Sequence, residues 1–272
     1  MVRSTMSRDA LMKEILAAPD DDTPRLVFAD VLTQEGDPQG ELIVVQCALA
    51  QLAPSDPKRA ELVKRERALL RKPELVAQDE ALRQEFPIVP RWRRGFISEI
   101  GISADWLKKL GTKVFAAVPL LDALDLAGCA TCDRALLREL ARVRTLTIGM
   151  GRSEHIAHLD DPAWKNLREL TIRGTPIGKA MVDLCGWKTI KPRVLRLPKT
   201  SIKDTGAREL AAAKLDVDIL DVRENPIGEE GGAALRSAYG DRLVLTDADI
   251  GKAPPAKKQG PAKKKRVSAG RR

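Results

Sequence analysis

From residue 97 onward, apolar positions recur in one pattern: apolar-x-x-apolar-x-apolar-x-x-small or polar. Ile97, Ile100 and Ile102 open it, and Leu121, Leu124, Leu126 and Cys129 follow. Val143, Leu146 and Ile148 come next, then Leu167, Leu170, Ile172, Thr175 and Ile177. Leu195, Leu197, Thr200 and Ile202 form a fifth copy, with Pro192 in the first position. Val217, Leu220, Val222, Asn225 and Ile227 form the cleanest, and Leu243, Leu245 and Ile250 the last. The second apolar position falls at 100, 124, 146, 170, 195, 220 and 243, so the spacing stays between 22 and 25 residues. Apolar residues one apart, with polar ones between, predict a short strand with alternate side chains inward. The stretches Asp204–Ala213 and Glu229–Ala238 have helical composition and predict the return segments of the later copies.

A period of about 20–29 residues with this spacing matches the leucine-rich-repeat pattern. One copy cannot bury its own apolar face, but stacked neighbours can. The Asn-type position faces inward, where its polar group bonds backbone groups left over by the turn; Cys129, Thr175, Thr200 and Asn225 occupy it. The expected architecture is an α/β solenoid, a leucine-rich-repeat stack with a parallel concave sheet, preceded by a small all-α N-terminal domain. About seven repeats are expected over 95–251, after a helical domain over 1–53 and a helical connector over 54–94.

In the N-terminal part the period changes to that of helices. Asp9–Ala18 puts Leu11 and Ile15 on one face. Asp20-Asp21-Asp22-Thr23-Pro24 is a helix start, with carboxylates, a capping residue and Pro in the first turn. The helix it opens stops at Gly36, a third runs over 40–52, and two more polar helices are expected over 57–71 and 74–85. Pro87 and Pro90 then lead toward the first strand.

The string Asp20 to Leu32, with Arg25-Leu26-Val27-Phe28-Ala29-Asp30 inside it, and the string Gly36-Asp37-Pro38-Gln39-Gly40-Glu41 closely resemble the bacterial repeat-companion domain. Val31 stands where that family often carries Trp. Arg91-Trp92-Arg93-Arg94-Gly95-Phe96 resembles the junction that precedes its repeats. The resemblance implies a short helical module ahead of leucine-rich or related repeats, and no activity.

Aromatic residues make up only 3% of the 272, so Leu, Ile, Val and Ala must carry the core. No apolar run reaches the roughly 18 residues of a membrane helix. The first residues lack the apolar stretch of a secretory signal, and Met6 is an alternative start. A cytoplasmic protein with reduced thiols at Cys47, Cys129, Cys132 and Cys185, and no contact with a membrane, is expected. The net charge of +9 is carried wholly by 252–272, which holds six Lys, three Arg and no acid.

Few residues suggest chemistry. Cys129-x-x-Cys132 lacks the second ligand pair that zinc needs. His155 and His158, with Asp160 and Asp161 near, are at most a metal pair on a return segment. Asp30 and Glu41 read as capping or turn-bonding residues rather than catalytic carboxylates. No phosphate loop, HExxH or Gly-x-Ser-x-Gly string is present, so no enzyme, metal or cofactor is expected.

The outward strand positions suggest binding instead. Stacking aligns Glu99, Asp125, Thr147, Glu169, Thr171, Arg173, Arg196, Asp221, Arg223 and Arg242 into polar columns on the concave face. Arg173 and Arg223 share one column, and Arg196 sits between Thr171 and Asp221 in the next. Such a face suits an unidentified protein partner of acidic or mixed character; the bland alternative is a solvated sheet. The tail 252–272 is Lys/Pro/Ala-rich, a disordered composition. Lys257, Lys258, Lys263, Lys264, Lys265 and Arg266 fit sequence-independent, salt-sensitive binding of nucleic acid or another polyanion, or a solubilising terminus.

Overall fold

The computed structural model describes residues 7–53, 55–128, 136–149, 156–246 and 249–250. Helix α1 (Arg8–Ala17) is capped by the Ser7 hydroxyl, which accepts from Ala10 N at 3.2 Å. Helix α2 (Thr23–Gln34) opens with Pro24, and helix α3 (Pro38–Gln51) is capped by Asp37, whose carboxylate accepts from Gln39 N at 2.9 Å. Helices α4 (Arg59–Leu69) and α5 (Pro73–Glu85) follow. Leu11, Ile15, Phe28, Leu32 and Ile43 form one apolar cluster of this region; Leu42, Val45, Leu49, Leu69 and Leu75 form a second.

The end of the expected helical connector is not helical. Strand β1 (Val89–Arg93) pairs antiparallel with strand β2 (Phe96–Ser103). The two-residue turn between them, Arg94-Gly95, has φ of 49° and 81°. Positive φ at both central residues is what a tight hairpin needs to match strand twist. Gly95 is also enforced by packing: a Cβ there would lie 2.0 Å from Ile43 Cγ1 and 2.6 Å from its Cα. The helices hold the hairpin by hydrogen bonds. Gln46 Oε1 accepts from Gly95 N at 2.7 Å, its Nε2 donates to Trp92 O at 3.2 Å, and Gln39 Nε2 donates to Gly95 O at 3.0 Å.

After β2 come helix α6 (Ala104–Ala117), strand β3 (Ala123–Ala127), the short helix α7 (Leu137–Leu140), and strands β4 (Thr145–Gly149) and β5 (Glu169–Arg173). Helix α8 (Met181–Cys185), strand β6 (Val194–Arg196), helix α9 (Asp204–Ala213), strand β7 (Ile219–Asp221), helix α10 (Glu229–Tyr239) and strand β8 (Leu243–Val244) complete the order. The result is an α/β fold around an eight-stranded sheet, ordered β1 to β8 as in the sequence. All pairings after the first hairpin are parallel.

Register aligns one apolar row across the sheet: Ile100, Leu124, Leu146, Leu170, Leu195, Leu220 and Leu243 are successive partners. The first six are at most 1% exposed. Ile102, Leu126, Ile148 and Ile172 form a second buried row. The return segments cover these rows through Phe115 of α6, Trp164, Leu184 of α8, Leu210 of α9 and Leu235 of α10. Each fully buried side chain of this size contributes roughly 1.5–3 kcal/mol over its exposed state.

The turns after the strands repeat as well. Gly128, Gly174, Lys199 and Glu224, each four residues past the Leu-row position, all have positive φ. The next residue points inward: Thr175, Thr200 and Asn225 are at most 3% exposed. Asn225 Nδ2 donates to Leu197 O at 2.6 Å and Val222 O at 2.9 Å, while its Oδ1 accepts from Thr200 N at 2.9 Å and Ile202 N at 3.1 Å. One amide thus satisfies backbone groups of two adjacent turns. Asn225→Ala leaves at least three of these groups unpaired, at about 1–3 kcal/mol each. Chemical denaturation should therefore show a loss of about 3 kcal/mol or more. A loss under about 1 kcal/mol would contradict this accounting.

Candidate functional site

The sheet face opposite the return segments carries the polar rows. Gly101, Asp125, Thr147, Thr171, Arg196 and Asp221 are successive partners in one. Arg196 therefore lies between Thr171 and Asp221. Glu99, Ala123, Thr145, Glu169, Val194 and Ile219 form the neighbouring row, which turns apolar toward β7.

The charges on this face are paired with one another. Arg173 Nη2 contacts both oxygens of Asp125 at 2.8 and 3.0 Å, Arg196 meets Glu169 at 2.8 Å, and Arg223 meets Asp221 at 2.7 Å. The hairpin adds two residues that sequence reasoning missed. Arg91 bonds Glu99 and lies 3.4 Å from Asp125, and Arg93 lies 2.9 Å from Glu99. The side chains of Asp125 and Asp221 are only 13% and 8% exposed, against 54% and 51% for Arg173 and Arg223. The carboxylates of Glu99, Asp125 and Asp221 sit beneath the guanidinium groups of Arg91, Arg173 and Arg223, whereas Glu169 is as exposed as its partner Arg196. An RWRRG string reads as a hairpin only if Arg94-Gly95 is recognised as a two-residue turn, which is the signal that was available.

Arg242 does not join this face. It was expected at an outward strand position, but the strand starts only at Leu243, and a one-turn helix, Gly240–Arg242, turns the side chain back. Its guanidinium donates to Val217 O at 3.2 Å and to the carbonyls of Ala238 and Tyr239 at 3.4 Å. It thus serves the carbonyl end of α10, where a cation is favoured.

The other candidates have structural tasks or lie elsewhere. Asp160 accepts from the backbone N–H groups of Lys188, Thr189 and Ile190, and Asp161 from Ala163 N. Burial pushes the Asp160 carboxyl up, but those donors outweigh it and hold it below the usual carboxylate value. His158 is exposed in a one-turn helix. Glu41 is ion-paired with Arg65 rather than bonded to a turn. Among the described residues no group of three His, Cys, Asp or Glu is placed to hold a metal ion. Burial pushes the Cys47 thiol up to about 12 and the Cys185 thiol up to about 11, which suppresses the thiolate. Cys129, Cys132, His155 and the tail cations Lys257, Lys258, Lys263, Lys264, Lys265 and Arg266 lie outside the described residues. No helix among the described residues is long and apolar enough to cross a membrane.

A second candidate region lies at the amino ends of the strands. A cavity of about 820 Å³ opens there, walled on one side by Leu16 and Pro19 of the helical region. Its rim carries Arg142, Arg144, Lys165, Arg168, Lys191 and Arg193. Asp20 spans the gap between the two regions, bonding Arg144 and lying 3.7 Å from Arg168. Asp20 thus stands outside the helix start that its neighbours form, where Asp21 accepts from Thr23 N at 2.8 Å. An apolar crevice of about 430 Å³ lies nearby between Met12, Phe28, Trp92 and Leu120.

Asp122 lies at the floor of the larger cavity, with Oδ1 buried and unbonded. Burial raises its pKa, and the nearby Arg93, Arg144, Arg25 and Arg94 only partly offset that.

Neither the protein-family models nor the curated proteins contain a match to this chain.

A raised folded pKa means that the charged Asp122 subtracts stability, and that the penalty vanishes in acid. The penalty sets in as pH rises through the ordinary carboxylate range to the raised value. Asp122→Asn does not titrate, so its stability relative to the parent should rise as pH increases through and above the ordinary carboxylate range near about pH 4. Paired thermal melts across that range test this; a pH-independent difference would remove the assignment.

Proposed function

We propose that the chain is a leucine-rich-repeat scaffold without catalytic activity, and that it holds a protein partner on the open face of its sheet. The observation that supports this reading is the layering of that face. Half-exposed arginines from β1, β5 and the turn after β7 lie above sunken carboxylates. Guanidinium groups keep outward N–H donors after pairing, and their planar forks suit carboxylates of a partner. The apolar Val194 and Ile219 beside Arg196 give such a partner a dry contact. Repeat architecture fits the sequential parallel strands, the aligned leucine row and the recurring turn. The helical region, on this reading a repeat-companion domain, covers the first strands through Gln39 and Gln46. The alternative reading is a nucleic-acid- or polyanion-associated protein acting through the tail, supported by the charge of 252–272.

The test is capture of partners from a nuclease-treated lysate by the full-length protein and by the double variant Arg173→Glu/Arg223→Glu. One protein should be recovered by the parent and fall at least about tenfold with the variant, as for loss of central interface residues. Equal recovery by a folded variant would reject the open face as the binding surface.

A further inference from the structure

We infer that the cavity at the amino ends of the strands is a binding site for a linear phosphate chain, and that Asp20 occupies part of it in the unliganded protein. The warrant is a second register in the same sheet. Backbone hydrogen bonds align Asp122, Arg144, Arg168, Arg193 and Asp218 along the edge: Arg144 N donates to Asp122 O, Arg168 N to Arg144 O, Val194 N, next to Arg193, to Arg168 O, and Asp218 N to Arg193 O. Three arginines thus stand on three adjacent strands. Strands lie about 4.8 Å apart, so the row spans roughly 10 Å. Arg142, Lys165 and Lys191, two or three residues earlier in each copy, double the row.

The cations differ in how far they are committed. Arg193 is clamped by Asp218 at 2.7 Å, and Arg142 is turned toward Pro119 O and the Phe115 ring. Arg144 and Arg168 share Asp20. Lys165 and Lys191 are exposed, and no carboxylate among the described residues pairs with either. Six cations therefore face Asp20, Asp122 and Asp218, with Glu139 near Arg142 and Asp216 near Arg193, and the small excess of positive charge in a concave site is concentrated on Lys165, Arg168 and Lys191.

The shape of the site selects among anions. The backbone N–H groups of Asp122, Arg144, Arg168 and Asp218 are used within the sheet, so an acidic peptide finds no run of main-chain donors to pair with as an extra strand. Among the described residues no aromatic side chain lines the cavity, so bases find no stacking platform there. What is offered is a row of side-chain cations, which recognises a chain of phosphates irrespective of sequence. A single-stranded nucleic acid and inorganic polyphosphate both present that chemistry. Asp20 reaches across from the helical region and stands in for one anionic group.

The test uses the full-length protein and fluorescence anisotropy with a dT20 oligonucleotide, with polyphosphate and poly-glutamate of matched charge as competitors. Three variants are compared with the parent: Lys165→Gln/Arg168→Gln/Lys191→Gln in the cavity, Asp20→Asn, and a tail variant with Lys257, Lys258, Lys263, Lys264, Lys265 and Arg266 all changed to Gln. The cavity variant should bind about tenfold more weakly, and its log–log salt slope should fall by about 2, as for three lost phosphate contacts. Asp20→Asn should tighten binding severalfold, a gain that misfolding does not mimic. The stronger of the two phosphate competitors identifies the source of the chain. Unchanged affinity and slope in the cavity variant, with all binding lost in the tail variant, would overturn the proposal. So would poly-glutamate competing as well as either phosphate chain, or an Asp20→Asn affinity equal to the parent's.

Discussion

The aligned row Ile100, Leu124, Leu146, Leu170, Leu195 and Leu220 is the constraint on which the rest of the molecule depends. Side chains on a strand alternate between faces, so fixing these six inward fixes every neighbour outward. A slip of one residue would bury Asp125, Thr171 and Arg196 and expose the leucines. The polar face, the turn geometry and the cation row at the strand starts all inherit their alignment from this one apolar row. That is why functional side chains far apart in sequence stand about one strand spacing apart.

Polar satisfaction then determines how the ends of each strand are finished. At the carboxyl ends the chain turns through a left-handed residue, which Gly128 and Gly174 adopt without strain and Lys199 and Glu224 adopt despite their Cβ. Asn225 and Thr200 take up the backbone groups that this turn leaves over. At the amino ends the carbonyls of Asp122, Arg144, Arg168 and Arg193 accept from the following strand, and the side chains are left to face the cavity. The two ends of the sheet thus differ in kind. One is closed by internal hydrogen bonds, and the other presents charge.

The helical region contributes more than a cover. Gln46 bonds both sides of the hairpin turn, and Ile43 packs where Gly95 lacks a side chain, so α3 fixes the antiparallel start of the sheet. The same region sends Asp20 to Arg144 and Arg168. These exposed pairs are each worth at most about 1 kcal/mol, so they bear on what the cavity binds more than on stability.

The sequence alone determined the period, the leucine row, the inward Asn225 position and most of the helices, because each follows from local alternation of apolar and polar residues. It also placed Arg173, Arg196 and Asp221 on one face, since strand parity is local information. It did not determine the β1–β2 hairpin, because Val89–Arg93 is short and charged, and its Pro90 is buried and its Trp92 half-buried only once the strand packs in the folded protein. It sent Arg242 to the wrong place, because the strand starts only at Leu243 and the side chain finds the carbonyls of Val217, Ala238 and Tyr239 instead. The pairing of Arg91 with Glu99 and Asp125, the reach of Asp20 to Arg144, and the cation row itself were decided only by tertiary structure. Each joins residues from separate copies or separate regions, and a charge acts through distance in space, which the spacing along the chain does not carry.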